Sequence, residues 1–335
     1  YHSHLDCFDV PIAFFLTLCA YAYWRSLSDA RWAPLLGLLF GLALATKHNS
    51  WMLPGVFLIH FAWLRTAQRR SGTSERASFR WLLAMLSIGP LVFLATWPWL
   101  WHDTWSRIGA YASFHLRHVH YTYQYLGVSY FEPPLPVSVP FVMTLFTVSA
   151  TVLALAIIGV IDQRQALRPP WRVQGGEAVA ELTSVLWLGC AFAPLLAIAL
   201  PTSPIFGGTK HWFPAYPFVA LFAGYGLVAL LEYAEVAWWT GRRWPSLAFA
   251  ALCLAPGFVQ TAHSHPFGLS HYMPIAGGTA GAADLGMNRQ FWGFTTGQLE
   301  KHCQRAGLDV EQCAVSAIER RTPNFSVLSL SAVKP

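Results

Sequence analysis

Long apolar runs separated by short polar stretches occupy most of the first 260 positions of the chain. A helix needs about 20 apolar residues to cross the roughly 30 Å hydrocarbon core of a bilayer. Eight runs approach this length, so the pattern predicts eight membrane-spanning helices. The second and the last run are about one turn short, which leaves re-entrant helices as an alternative there. The runs cover residues 10–27, 32–46, 51–64, 81–97, 137–161, 184–200, 212–231 and 246–260.

The composition agrees with this pattern and narrows the class of protein. Of the 335 residues, 55% are hydrophobic and 11% are charged, and the mean hydropathy is +0.40. A soluble domain of this size cannot bury so much apolar surface without exposing large patches to water. Six cysteines in such a chain also exclude a disulfide-dense small protein. The predicted fold class is an all-α polytopic membrane protein.

The net charge of +6 would suggest nucleic acid binding in a soluble protein, but the basic residues follow a membrane pattern. If the eight helices alternate in direction, one set of loops carries twelve Lys and Arg residues and the other carries four. By the positive-inside rule the richer set is cytoplasmic. The twelve are Arg25, Arg31, Arg65, Arg69, Arg70, Arg76, Arg80, Arg164, Arg168, Arg172, Arg242 and Arg243, and the four are Lys47, Arg107, Arg117 and Lys210. No nucleic acid partner is therefore predicted.

Twelve of the thirteen histidines also fall on the predicted outer side, and only His60 lies within a span. One explanation is that histidine accompanies the aromatic belts at membrane interfaces. The other is a functional site where the outer loops converge. The predicted spans contain almost no charged residues in their interiors, which disfavours an ion-coupled transporter and favours chemistry at one membrane surface.

Two acidic residues, Asp6 and Asp9, lie just before the first apolar run, and Pro11 follows them. Asp9 is placed to cap a helix that has Pro11 in its first turn. The alternative is that the two carboxylates position a donor, an acceptor or a metal beside a reaction centre. One residue can serve both purposes.

Two predicted outer turns repeat a lysine followed by a histidine. The first contains Lys47 and His48, and the second contains Lys210 and His211 after a pair of glycines. Lysines on this side can extend to lipid headgroups. They can also bind phosphate, because glycines let the backbone approach a ligand and each lysine adds a point charge. The repeated pair favours one phosphate group held from two sides.

The predicted outer loop over 98–136 begins with a Trp-rich stretch that suits a helix lying in the membrane interface. His115 and His118 would share a helical face there, and with His120 they could bind a metal. No carboxylate or cysteine stands at ligand spacing, however. Contact of Arg117 with a phosphate or a sugar is the favoured alternative.

The pattern divides the chain into a membrane bundle over 1–261 and an extracytoplasmic region over 262–335. The sequence pattern of the second region predicts a small α/β appendage, with a helix over 297–306 and an edge strand over 325–333. Cys303 and Cys313 could pair there. The chain opens on Tyr1 without a signal peptide pattern, and we expect it to be a fragment that lacks its own N-terminus.

Four stretches taken together resemble glycosyltransferase family 39, which includes protein O-mannosyltransferases and the lipid A aminoarabinose transferase. They are residues 6–11, residues 41–47, the Trp-Pro-Trp-Leu-Trp sequence at 97–101 and residues 201–212. The resemblance covers about residues 1–293. It implies a C-type glycosyltransferase bundle that takes a sugar from a polyprenyl-phosphate donor and passes it to an acceptor outside the cytoplasm.

The same resemblance assigns roles to residues. Asp9 matches the family's aspartate at the mouth of its helix, and Lys47 and Lys210 fall where contacts to the donor phosphate are expected. Family members carry the catalytic carboxylate in the first outer loop, which would precede this chain. Asp6 or Asp9 is the fallback for the general base.

These observations lead to a working hypothesis of a glycosyltransferase of the bacterial inner membrane that acts on the extracytoplasmic face. Lys47, Lys210 and Arg117 would bind the donor phosphate, and Asp9 with His48 and His211 would orient it. Its partners would be a polyprenyl-phosphate-linked sugar, membrane lipids and a lipid, glycan or protein acceptor. No cofactor is predicted with certainty, and a divalent metal is left open. The alternatives are a lipid or polysaccharide flippase or transporter, and a non-catalytic scaffold for envelope assembly.

Overall fold

The computed structural model describes residues 7–72, 77–172, 182–205, 208–235, 243–265 and 268–288, and the fold over these ranges is mostly helical. One short β-hairpin interrupts the helices, with β1 (Tyr123–Tyr125) antiparallel to β2 (Val128–Tyr130). The α-helices of the described ranges are α1 (Asp9–Ser26), α2 (Trp32–Thr46), α3 (Leu53–Ser71), α4 (Arg80–Thr96), α5 (Thr104–Leu116), α6 (Val139–Thr147), α7 (Ala150–Asp162), α8 (Thr183–Ala199), α9 (Tyr216–Ala234), α10 (Arg243–Ser264) and α11 (Gly278–Asp284).

Seven of the eight apolar runs each coincide with one helix, namely α1, α2, α3, α4, α8, α9 and α10. Length and apolar composition identify two helical stretches as able to cross a membrane, Phe213–Ala234 and Trp244–Ser264. The last run was expected to be a turn short, and this was wrong, because α10 extends beyond it at both ends. Other apolar helices are shorter, at 15 to 17 residues, and they include α2, α4 and α8.

The run over 137–161 was predicted as a single helix, and this prediction was wrong. Its two halves, α6 and α7, meet at an angle of 119° across Val148 and Ser149. Both of these residues have extended backbone angles, and neither residue type favours a helix interior. The break frees the carbonyl group of Phe146, which accepts a hydrogen bond of 2.7 Å from the amide of Met273. If the bent pair is counted as one span, three spans meet the length criterion.

Glycines allow two pairs of helices to pack in backbone contact. In the crossing of α7 and α9, a Cβ atom at Gly226 would overlap the carbonyl group of Leu155, and one at Gly159 would overlap that of Phe222. α2 and α4 approach each other in the same way through Gly37. Close contacts of small residues are typical of helices that associate inside membranes, where packing rather than water exclusion drives association.

The first three helices run in alternating directions, so this part of the bundle has two chemically different ends. α1 and α2 pack side by side, with Asp9 and Lys47 meeting at one end and the turn between Arg25 and Arg31 at the other. α3 starts near Lys47, and its last turn carries Arg69 and Arg70. Arg25, Arg31, Arg69 and Arg70 therefore lie at the end opposite Lys47, as the charge pattern predicted for these four.

The described part of the C-terminal region packs on the loop over 98–136 and on α6. Tyr272 and Met287 are buried in one apolar cluster with Tyr123 of β1, Met143 of α6 and Trp212. The predicted helix over 297–306, the predicted strand over 325–333 and the pair Cys303 and Cys313 lie outside the described residues.

Candidate functional site

Both lysine turns lie at the same end of the bundle and are held by buried hydrogen bonds. In the Lys47 turn (residues 45–51), the hydroxyl of buried Ser50 donates to the carbonyl of Lys47 at 2.9 Å. In the Lys210 turn (residues 208–212), the indole of fully buried Trp212 donates to Thr144 Oγ1 at 2.9 Å. The amide group of Asn49 joins the two turns by donating to the carbonyl of His211 at 2.9 Å.

The strongest electrostatic contact at this end is an ion pair between Asp9 and Lys47. Lys47 Nζ lies 2.7 Å from Asp9 Oδ1, and the two side chains are only 15% and 3% exposed. Asp9 is the first residue of α1 and Lys47 directly follows α2, so each charge also has the favourable sign for its helix end. The expectation that Asp9 caps α1 is corrected, because Phe8 occupies the N-cap position. Instead the carboxylate pairs with Lys47.

Lys210 is the second cation of this group. Its partial burial lowers its pKa to about 8, and the positive charge of Lys47 acts in the same direction, while Asp9 and Cys7 oppose the shift. Asp9, Lys47 and Lys210, which we call the charge cluster, thus sit close enough to interact. With Lys210 protonated at neutral pH, they carry one net positive charge, which suits binding of a monoanion.

A cavity of about 330 Å³ lies beside the charge cluster and is called the histidine cavity here. His48 and His211, which directly follow the two lysines, both line it. Further polar lining comes from Asn49, His115, His118 and Ser203, and further apolar lining from Trp51, Met52, Leu116, Pro194, Ala197, Ile198, Leu200 and Pro204. No aspartate, glutamate, lysine or arginine belongs to this described lining.

Two histidines of the cavity, His48 and His115, are held in an aromatic stack. The rings of His48 and His115 are stacked with centroids 4.2 Å apart, and Tyr111 and Trp51 meet His115 edge-on. Burial, followed by the proximity of His115 and Lys47, lowers the pKa of His48 to about 4. Burial also lowers the pKa of His115. Both imidazoles are therefore uncharged at neutral pH.

Asn49 contributes an acceptor that has no partner among the described residues. Its side-chain amide nitrogen donates a hydrogen bond to the carbonyl of His211. Its Oδ1 atom is buried and has no hydrogen-bond partner among the described residues. The residue is 7% exposed and lines the histidine cavity. An unsatisfied buried acceptor is costly to a folded protein unless a bound molecule satisfies it.

The structure thus brings together five of the residues predicted for the site: Asp9, Lys47, His48, Lys210 and His211. It does not bring Arg117 into the cavity. That residue follows α5 and is exposed, although its neighbours Leu116 and His118 are lining residues. Asp6 lies outside the described residues.

The metal alternative for His115, His118 and His120 gains no support. α5 ends at Leu116, so His118 does not continue the helical face of His115. Within the described ranges no group of three or more His, Cys, Asp or Glu side chains is arranged to hold a metal ion.

Sequence reasoning missed the roles of Asn49, Trp51, His115 and Ser203 as cavity residues. Asn49 and Trp51 stand in the same polar turn as Lys47, which was the available signal. His115 was noticed only as a metal ligand. No pattern in the sequence indicates that the end of α5 folds against the Lys47 turn.

No family model matches this chain, and the comparisons with curated proteins and with solved structures find no significant match.

Proposed function

We propose that this protein acts as a membrane glycosyltransferase that takes a sugar from a polyprenyl-phosphate donor and transfers it on the outer face of the bacterial inner membrane. The observation that carries the proposal is the charge cluster. It places two lysines and one carboxylate at the end of an apolar helical bundle, beside a cavity that the same two turns line.

The charges suit the changes that such a reaction produces. A glycosyl phosphodiester carries one negative charge, and the departing polyprenyl phosphate gains a second as the sugar leaves. Asp9 and the two lysines together carry one net positive charge, which attracts the donor. Two cations in place before the reaction would then stabilise the leaving group more strongly than the donor.

The surface of the bundle supports a location in the membrane and access for a lipid donor. α4 exposes Leu83, Leu86 and Leu91, each to about two thirds of its area. α10 exposes Leu247 and Phe258 even more. Only 6% of the apolar stretch of this helix is buried within the protein. Such surfaces are unfavourable in water and are covered by lipid chains in a membrane. Eight spans, with the arginine-rich end in the cytoplasm, are part of this proposal.

The test compares label transfer from a radiolabelled polyprenyl-phosphate hexose in membranes that contain the complete gene product or its variants. Lys210→Met should reduce transfer by about a hundredfold, the size of the loss when one preorganised oxyanion-hole donor is removed from a hydrolase. The double variant Asp9→Asn, Lys47→Met removes the ion pair without leaving a single buried charge and should reduce transfer to a similar extent.

Arg31→Ala is the control for a lost positive charge. Its side chain is 91% exposed and lies at the arginine-rich end. Transfer should stay at the wild-type level in that variant.

Arg117→Ala decides whether the exposed arginine takes part in the reaction. Wild-type transfer by both lysine variants, at matched expression, would overturn the proposed phosphate site.

The lowered pKa of Lys210 gives the proposal a pH signature. Between pH 7 and pH 9 the donor keeps its single charge, whereas Lys210 loses its proton near pH 8. Donor affinity in lipid nanodiscs should therefore fall by about tenfold over this range. In Lys210→Arg the guanidinium stays protonated, and the affinity should remain nearly constant. An equal fall in both proteins would show that Lys210 is not the titrating group.

A further inference from the structure

The histidine cavity has a chemistry different from that of the charge cluster beside it. Its described lining contains no aspartate, glutamate, lysine or arginine and combines hydrogen-bonding groups, among them His48, Asn49 and His115, with apolar side chains such as Pro194 and Ile198. At about 330 Å³ it lies at the small end of the range of ligand pockets. It suits one ring-sized molecule.

We propose that the histidine cavity is the binding site for the sugar ring of the donor, and that it selects an uncharged, hydroxyl-rich sugar over an amino sugar or a uronic acid. This inference rests on the proposed function, because it takes the phosphate to lie at the charge cluster. His48 and His211 each follow one of the lysines directly, so a phosphate held by the lysines would have its sugar next to the cavity.

Asn49 is the residue that points most directly to a hydroxyl-bearing ligand. It is more than nine-tenths buried, it lines the cavity, and its Oδ1 atom has no partner in the described part of the chain. Its Nδ2 atom is committed to the carbonyl of His211, so Oδ1 can act only as an acceptor. A sugar hydroxyl that reaches this atom would supply the missing donor.

The aromatic side of the cavity suits a sugar for a second reason. Trp51 lines the cavity, and its ring lies edge-on to His115, which is itself stacked on His48. Pyranose rings combine a face of C–H groups with a rim of hydroxyls, so they suit a site that joins aromatic or apolar surface to polar groups.

The absence of charge from the described lining sets the selectivity. An ammonium or a carboxylate on the sugar would have to leave water without meeting an opposite charge, which is strongly unfavourable. The stacked imidazoles of His48 and His115 do not compensate, because burial lowers the pKa of both and keeps them uncharged at neutral pH. An uncharged hexose meets no such penalty, and its hydroxyls find acceptors and donors in Asn49 and the histidine rings.

The experiment measures the affinity of the complete gene product in nanodiscs for four lipids with the same short polyprenyl chain. These carry phosphate alone, phosphate with an uncharged hexose, phosphate with an amino sugar, and phosphate with a hexuronic acid. We expect the uncharged hexose to raise the affinity on the order of tenfold above that for phosphate alone. The charged sugars should add nothing or reduce it.

Two cavity variants test the residues. Asn49→Leu should abolish the gain from the hexose. Because Asn49 also holds the Lys210 turn, His115→Phe is the second variant, since residue 115 lies on α5, outside both lysine turns, and phenylalanine keeps an aromatic ring beside His48 and Trp51. It should reduce the gain severalfold, with affinity for phosphate alone unchanged.

The possible outcomes separate the two proposals. If phosphate alone binds and depends on Lys210 but the hexose adds no affinity, the sugar site is wrong and the phosphate site stands. The sugar site is equally wrong if a charged sugar binds best, or if both cavity variants keep the full gain. If no phosphate lipid binds, or if substitutions in the charge cluster leave the affinity unchanged, the proposed function is wrong. The proposed sugar site is then wrong as well.

Discussion

Replacing Asp9 with alanine is expected to destabilise the folded protein by about 3–5 kcal/mol, the usual cost of removing one partner from a buried ion pair. Asp9 is 2% exposed, and Lys47 Nζ lies 2.7 Å from its carboxylate. Without the carboxylate, the ammonium of Lys47 must stay in a poorly solvated position, close to the second cation, Lys210. Unfolding in mixed detergent micelles, followed by tryptophan fluorescence, measures the change.

The matched control removes both charges. Asp9→Asn combined with Lys47→Met leaves no uncompensated charge, so it should recover most of the stability lost in either single variant. A loss below about 1 kcal/mol in the single variants would contradict a buried pair and would place these groups in contact with water instead.

Gly226→Ala is expected to have the other large effect, a destabilisation of about 2–3 kcal/mol, in the upper part of the range for overpacked interiors. The added methyl group would overlap the backbone carbonyl of Leu155, which cannot rotate away as a side chain can. α7 and α9 would have to move apart where their backbones are in contact.

Gly224→Ala is the control on the same helix. A Cβ atom there meets no atom within 4 Å, so the substitution should be neutral or stabilise the helix by up to about 1 kcal/mol. The unfolding assay used for Asp9 compares the two variants. Equal effects at Gly224 and Gly226 would show that the backbones of α7 and α9 are farther apart than in this structure.

The helices could be predicted from the sequence because each apolar run is long and is bounded by polar or charged turns. The division of the run over 137–161 was not predicted, although Thr147, Ser149 and Thr151 surround Val148, because serine and threonine also occur inside unbroken membrane helices. The break is fixed by a tertiary contact, the hydrogen bond from Met273 to the carbonyl of Phe146, between residues far apart in the chain. Local pattern carries no information about such a partner.

The site was predictable to a similar degree. The repeated pairs Lys47-His48 and Lys210-His211 indicated two related turns, and the structure brings these turns together. The partner of Lys47 was not predictable, because Asp9 stands on another helix and its position equally suited a helix cap. The contribution of His115 depends on how α5 folds back on the Lys47 turn, which spacing along the chain does not show.

The hydrogen bond between Asn49 and the carbonyl of His211 has a consequence for the energetics of binding. It fixes the separation of two lysines that are far apart in the sequence before any ligand arrives. A ligand that needs both cations then does not have to order flexible loops, and the entropy of that ordering is not subtracted from its affinity. The site is preorganised by a single amide that itself carries no charge.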